Sequence, residues 1–155
     1  MTKSVNIHAT CIRLGARGVM LLGASGAGKS DLALRLIGRG AKLVADDRCD
    51  LSIERDRLVA RPPRAIAGML EVRGIGIVTL PYAPRAEIAL VADLSGRVER
   101  LPELPRFAPP KPLALRQSAQ PRLIALNAFE ASAVDKIEAA LGILGRGAPA
   151  PVKRN

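Results

Sequence analysis

The sequence predicts an α/β domain, and three observations predict it. The apolar run Val19–Leu22 leads straight into a glycine-rich octapeptide, Gly23–Ser30. That octapeptide opens a segment in which Leu32 and Leu36, and Ala33 and Ile37, stand four apart, the spacing of one helical face. Further on, short apolar stretches alternate with turn residues until a second amphipathic segment, Ala131–Leu144. A chain of 155 residues suits one core and is too short for two ordinary ones. The expected organisation is therefore a single domain over 1–145 followed by a disordered tail at 146–155.

Taken in order, Ser4–Leu14 alternates apolar and polar residues as a strand does, and a turn at Gly15–Gly18 returns it to Val19–Leu22 as a hairpin. The helix after the octapeptide covers Asp31–Ile37 and is ended by Gly38 and Gly40. Lys42–Ala45 is a short strand closing on Asp46-Asp47; Leu51–Glu54 and Leu58–Arg61 flank the polar turn Arg55-Asp56-Arg57 as a second hairpin, stopped by Pro62-Pro63. Leu70–Thr79 carries two glycines among apolar residues and suits a bent loop better than a continuous strand. Ile88–Ala92 and Arg122–Phe129 are strands. Between them Arg97–Gln120 is dense in Pro, Arg and Leu without a period, the composition of an extended connection able to act as a lid. In the last helix Val134, Ile137, Leu141 and Leu144 share a face.

Composition narrows the classes of function. Two Phe, one Tyr and no Trp leave too few rings for a module that binds nucleic acid by stacking many bases. A formal charge of +10 fits an anionic partner, or simply an arginine-rich composition. Cys11 and Cys49 form no CxxC pair and fall in apolar stretches, so buried free thiols are expected. Neither a signal-peptide pattern nor an apolar run near the ~18 residues of a membrane span is present, so the cytoplasm is the expected location.

The chemistry concentrates at the octapeptide Gly23, Ala24, Ser25, Gly26, Ala27, Gly28, Lys29, Ser30, which satisfies G-x-x-x-x-G-K-S after a strand and before a helix. Glycines there let backbone N–H groups and a helix N-terminus face phosphate oxygens; Lys29 adds a mobile positive charge and the Ser30 hydroxyl suits Mg²⁺. ATP with magnesium is the ligand this predicts. Chemistry also needs carboxylates, and Asp46-Asp47 at the end of a strand supplies a pair able to divide metal support from proton acceptance.

GASGAGKSD, then LVADD, then LEVRGIGIV, is an order of motifs that resembles HPr kinase/phosphorylase, from His8 to about Phe129, over the catalytic part of its long members. The resemblance implies a P-loop variant fold related to phosphoenolpyruvate carboxykinase, with a β-rich core, a P-loop helix and a C-terminal helix. It implies that Gly23–Ser30 binds ATP, that Ser30 and Glu71 hold the magnesium, and that Asp47 takes the proton of a substrate serine. His8 falls at the family's active-site histidine and Arg100 at its catalytic arginine. The implied partner is the phosphocarrier HPr, with a homo-oligomer among the assemblies allowed, and the implied role is control of the phosphotransferase system. Two departures stand out. Asp31 replaces a glutamate, and Ala114–Ala119 keeps Arg116 without the glycine-arginine pattern used in phosphorolysis. A small-molecule P-loop kinase and a non-catalytic nucleotide sensor or nucleic-acid-binding protein are the competing readings.

Overall fold

A computed structural model of the chain describes residues 3–144. The tail expected at 146–155 lies outside the described residues. Ten strands and two helices follow one another: β1 (Val5–His8), β2 (Thr10–Leu14), β3 (Arg17–Leu22), α1 (Lys29–Gly38), β4 (Lys42–Ala45), β5 (Arg48–Glu54), β6 (Arg57–Arg61), β7 (Met69–Val72), β8 (Gly76–Thr79), β9 (Ala86–Asp93), β10 (Arg122–Ala125) and α2 (Ala133–Leu144). The main sheet runs β1-β5-β6-β9-β3-β2-β4, with β10 added alongside β9. β9 is parallel to both β3 and β10. Its first residues meet β6 through Val59 and Ala60, leaving Leu90–Asp93 free to pair with Arg122–Ala125.

The central strands β3 and β9 are buried on both faces, which is why they read as unbroken apolar runs. On one side Ile12, Val19 and Leu21 pack with Leu32 and Leu36 of α1 and Ile137 of α2. On the other, Cys11, Met20 and Val91 share a cluster with Val44 of β4, Leu51 of β5 and Leu58 of β6. β4 and β6 stand far apart in the strand order, so the sheet curls to bring them to one core. Burial of each such side chain contributes about 1.5–3 kcal/mol. Both cysteines are free and buried as expected. Burial pushes their thiols up, Cys49 to about 12, which keeps them protonated and unreactive.

Four sequence expectations change, the simplest being that the strand expected over Arg122–Phe129 stops at Ala125. Ser4–Leu14 is two strands, because β1 pairs with β5 while β2 pairs with β3 and β4; at the break, the Ala9 N–H donates to the Asp47 carbonyl at 3.1 Å. Leu70–Thr79 belongs to an antiparallel hairpin, β7–β8, rather than to a loop, since Gly74 at φ 84° lets the chain reverse within 73–75. The Arg97–Gln120 connection is irregular, as read, but much of it is a packed strap and not an open lid. Phe107 N–H donates to Pro121 O at 2.8 Å, Leu123 N–H to Pro105 O at 2.8 Å, and Leu113 is buried.

On the outer face of β5 and β6, Glu54 accepts hydrogen bonds from Arg61 and Ser52 and lies 3.5 Å from Arg85. The Arg61 guanidinium above all, helped by Ser52 and the Arg85 charge, holds its carboxyl at about 2, below an ordinary 4.5. A carboxyl depressed on folding contributes stability that is complete above about pH 4.5 and is lost as pH falls towards 2. The group is part-exposed, so the contribution is below about 1 kcal/mol. Urea unfolding of the native chain is expected to weaken between about pH 6 and about pH 3 more than that of Glu54→Gln; equal pH dependence would show that the pair does not matter.

Candidate functional site

The P-loop follows β3. Its last residue before the helix, Gly28, caps α1 with φ 94° and no side-chain cap. A Cβ there would meet Ala128 Cβ at 2.9 Å, so glycine is required by conformation and by space alike. The first helical hydrogen bond runs from Leu32 N–H to Gly28 O at 2.9 Å, which leaves the amides ahead of Leu32 free of helical partners and turned to the loop, the arrangement that attracts an anion. Lys29 is only 7% exposed. Its Nζ donates to Gly23 O at 2.6 Å and Ala24 O at 3.3 Å, folding the charge across the loop.

Asp46 directly follows β4 and is 7% exposed. Its Oδ1 accepts from Ser30 Oγ at 2.6 Å and Thr10 Oγ1 at 3.2 Å, and its Oδ2 accepts the Glu71 N–H at 3.1 Å. Three donors from three other elements thus satisfy one buried carboxylate. Asp47 is different in kind. It is exposed, with φ 64° in the left-handed region, where aspartate is among the more tolerant residues. Its N–H donates to Thr10 Oγ1 at 3.0 Å and its carbonyl accepts from Ala9 N–H. Thr10, wholly buried, therefore binds the side chain of one aspartate and the backbone of the next.

The remaining expected residues fall into two groups. His8 lies opposite Arg48 in the β1–β5 ladder, one residue from Asp47; it is exposed and shares no hydrogen bond with Asp47. Glu71 is exposed on β7, whose Leu70 is fully buried and whose backbone is fixed to Asp46. Loop, aspartates, His8 and Glu71 are thus brought to one region. Arg100 is exposed in the stretch after β9, whose first residues Leu94 and Ser95 bond to Leu22 and Ala24 at the start of the loop. Arg116 pairs instead with Asp56 at the β5–β6 turn.

Sequence reasoning passed over Thr10, although a hydroxyl inside the apolar Ala9–Ile12 run is a signal, because a buried donor must find a partner. It also passed over Ser95, whose Oγ accepts the Ala24 N–H at 3.2 Å and steadies the start of the loop.

Ser30 suits a hard cation. Its proton is committed to Asp46, leaving oxygen lone pairs for a metal, and Mg²⁺ commonly takes one or two protein oxygens and completes its shell with water and phosphate. Asp46 binds the same hydroxyl and so stands next to any ion that Ser30 would hold.

Among solved structures, the chain is similar to the Hpr(Ser) kinase/phosphatase from Coxiella burnetii, with a TM-score of 0.71 and 23% sequence identity over 88% of this chain and 93% of that one. At that identity the likeness establishes the fold, a sheet-rich α/β domain with a C-terminal helix. The family model described as HPr Serine kinase C-terminal domain matches residues 1–83, a stretch that takes in the loop, both aspartates and the β7–β8 hairpin, and the chain belongs to that family.

Proposed function

We propose that the protein is an ATP- and magnesium-dependent kinase that phosphorylates a serine of the phosphocarrier HPr in the cytoplasm. The observation that carries this reading is the pairing of a buried, fully satisfied Asp46 on the P-loop serine with an exposed Asp47 beside it. The family is one of kinases and phosphatases, and among the described residues no helix is long and apolar enough to cross a membrane.

In this reading the amides at the start of α1 bind the nucleotide's phosphates, and Lys29 leaves the Gly23 and Ala24 carbonyls to pair with them. Ser30 and Glu71 hold the magnesium, which when bound offsets negative charge on the phosphates. Asp47 takes the proton of the serine hydroxyl as its oxygen bonds to the γ-phosphorus and the bond to the β-phosphate oxygen breaks, releasing ADP. In phosphorolysis, inorganic phosphate would attack the phosphoserine phosphorus, the bond to the serine oxygen would break with Asp47 returning the proton to that oxygen, and pyrophosphate and free serine would leave. His8, on the same rim, orients Asp47 or contacts a phosphate. Arg100 offsets charge on the transferring phosphate with its guanidinium.

The direct test is transfer of labelled γ-phosphate from ATP to purified HPr. One HPr serine is expected to be labelled. Lys29→Ala and Asp47→Asn each remove labelling by about 100-fold or more, and Asp47→Asn still binds ATP. No labelling by native protein that binds ATP would sink the HPr assignment.

Thr10 offers a second test. Thr10→Val keeps the shape but strips a donor from Asp46 and a partner from the Asp47 amide, so it is expected to cost about 1–3 kcal/mol in urea unfolding. It should also lower kcat with KM for ATP little changed, and Thr10→Ser should restore both. A valine variant with native kcat would leave Thr10 a structural residue alone.

A further inference from the structure

Because β3, β9 and β10 are parallel, their C-terminal loops open at one end of the sheet, where ligands of such sheets bind. The loops are tied together there. Leu94 N–H donates to Leu22 O at 2.8 Å and Leu126 N–H to Asp93 O at 3.1 Å, while Ser95 accepts from Ala24. The loop after β10 therefore sits beside the P-loop.

At its tip is Phe129, 69% exposed. Its ring atoms Cε1 and Cζ come within 3.3 Å of the position a Cβ on Gly28 would take, so the ring borders the start of α1. Leaving such a ring in water forgoes apolar burial, yet its backbone is held on both sides. Arg35 of α1 donates Nη2 to Ala128 O and Nη1 to Glu130 O, the carbonyls on either side of Phe129. The same guanidinium pairs with Asp31 at 3.1 Å, and the Phe129 N–H donates to Asn127 Oδ1 at 3.0 Å. Exposed apolar surface on a fixed backbone beside a phosphate-binding loop is an arrangement pre-set for a flat ligand.

We propose that Phe129 is the stacking platform for the base of the nucleotide whose phosphates occupy the P-loop. The inference rests on the reading above and adds where the base lies and what holds it. Phosphates at the N-terminus of α1 leave the base one ribose away, at the edge of Gly28 where the ring stands. Stacking on a ring reads the π-face and not the base edge, so purine nucleotides should bind with similar affinity.

The chain has no tryptophan, so Phe129→Trp installs a single fluorescent reporter in the intact protein. Its emission is expected to change saturably with Mg-ATP and Mg-GTP and to stay constant when Mg-tripolyphosphate, which lacks base and ribose, fills the loop. Phe129→Ala, measured by equilibrium dialysis, should weaken ATP about five- to hundred-fold, the range found when stacked aromatics are replaced by alanine, and leave tripolyphosphate unchanged. Equal losses for both ligands, or none for either, would overturn the platform. So would native ATP affinity with a raised KM for HPr, which gives Phe129 to the partner protein. If neither ATP nor tripolyphosphate binds the native chain, the P-loop reading itself fails and takes the platform with it.

Discussion

The geometry of this protein turns on one buried carboxylate. Asp46 sits where β4 ends, and its oxygens hold the hydroxyl of Thr10 on β2, the hydroxyl of Ser30 on α1 and a peptide N–H of β7. A buried carboxyl group is tolerable only when its oxygens find partners. The need to partner them fixes the spacing of four elements that are distant in sequence. The P-loop helix, the sheet and the β7–β8 hairpin are held in mutual register by the demands of a single side chain.

That arrangement separates two adjacent aspartates. In extended backbone, neighbouring side chains point to opposite faces, but one extended step would not by itself bury Asp46 and leave Asp47 at the surface with its amide still satisfied. The left-handed turn at Asp47 and the short Arg48 N–H to Asp46 O contact at 2.7 Å accomplish this. Thr10 accepts the amide that the turn exposes. The dyad is thus built as one closed and one open carboxylate, and their backbone assigns the difference.

Much of this could be read in the sequence and some could not, for physical reasons. The octapeptide, both helices and the β5–β6 hairpin are written in local patterns, since glycine spacing and apolar period depend on neighbours a few residues away. The two central strands were visible as unbroken apolar runs at Val19–Leu22 and Ile88–Ala92, but that both faces of them are covered was not. The break at Ala9 was hidden because both halves alternate alike, and only their choice of different neighbouring strands divides them. The tie from Thr10 to Asp46 and Asp47 spans 36 and 37 positions, beyond any local pattern. Phe129 reads as one more apolar residue of a strand until β10 is seen to end at Ala125, four residues earlier.

The placing of β9 bears on how the chain is made. β9 is the strand that joins β1-β5-β6 to β3-β2-β4, yet it comes after every one of them in the sequence. Until residues 86–93 have left the ribosome, the growing chain holds two ladders with open inner edges and an unshielded core between them. Non-local closure of this kind is slow, and open strand edges are where chains stick to one another. The growing chain therefore keeps both inner edges open from the completion of β6 to the completion of β9, and the β7–β8 hairpin, made in that interval, lengthens it.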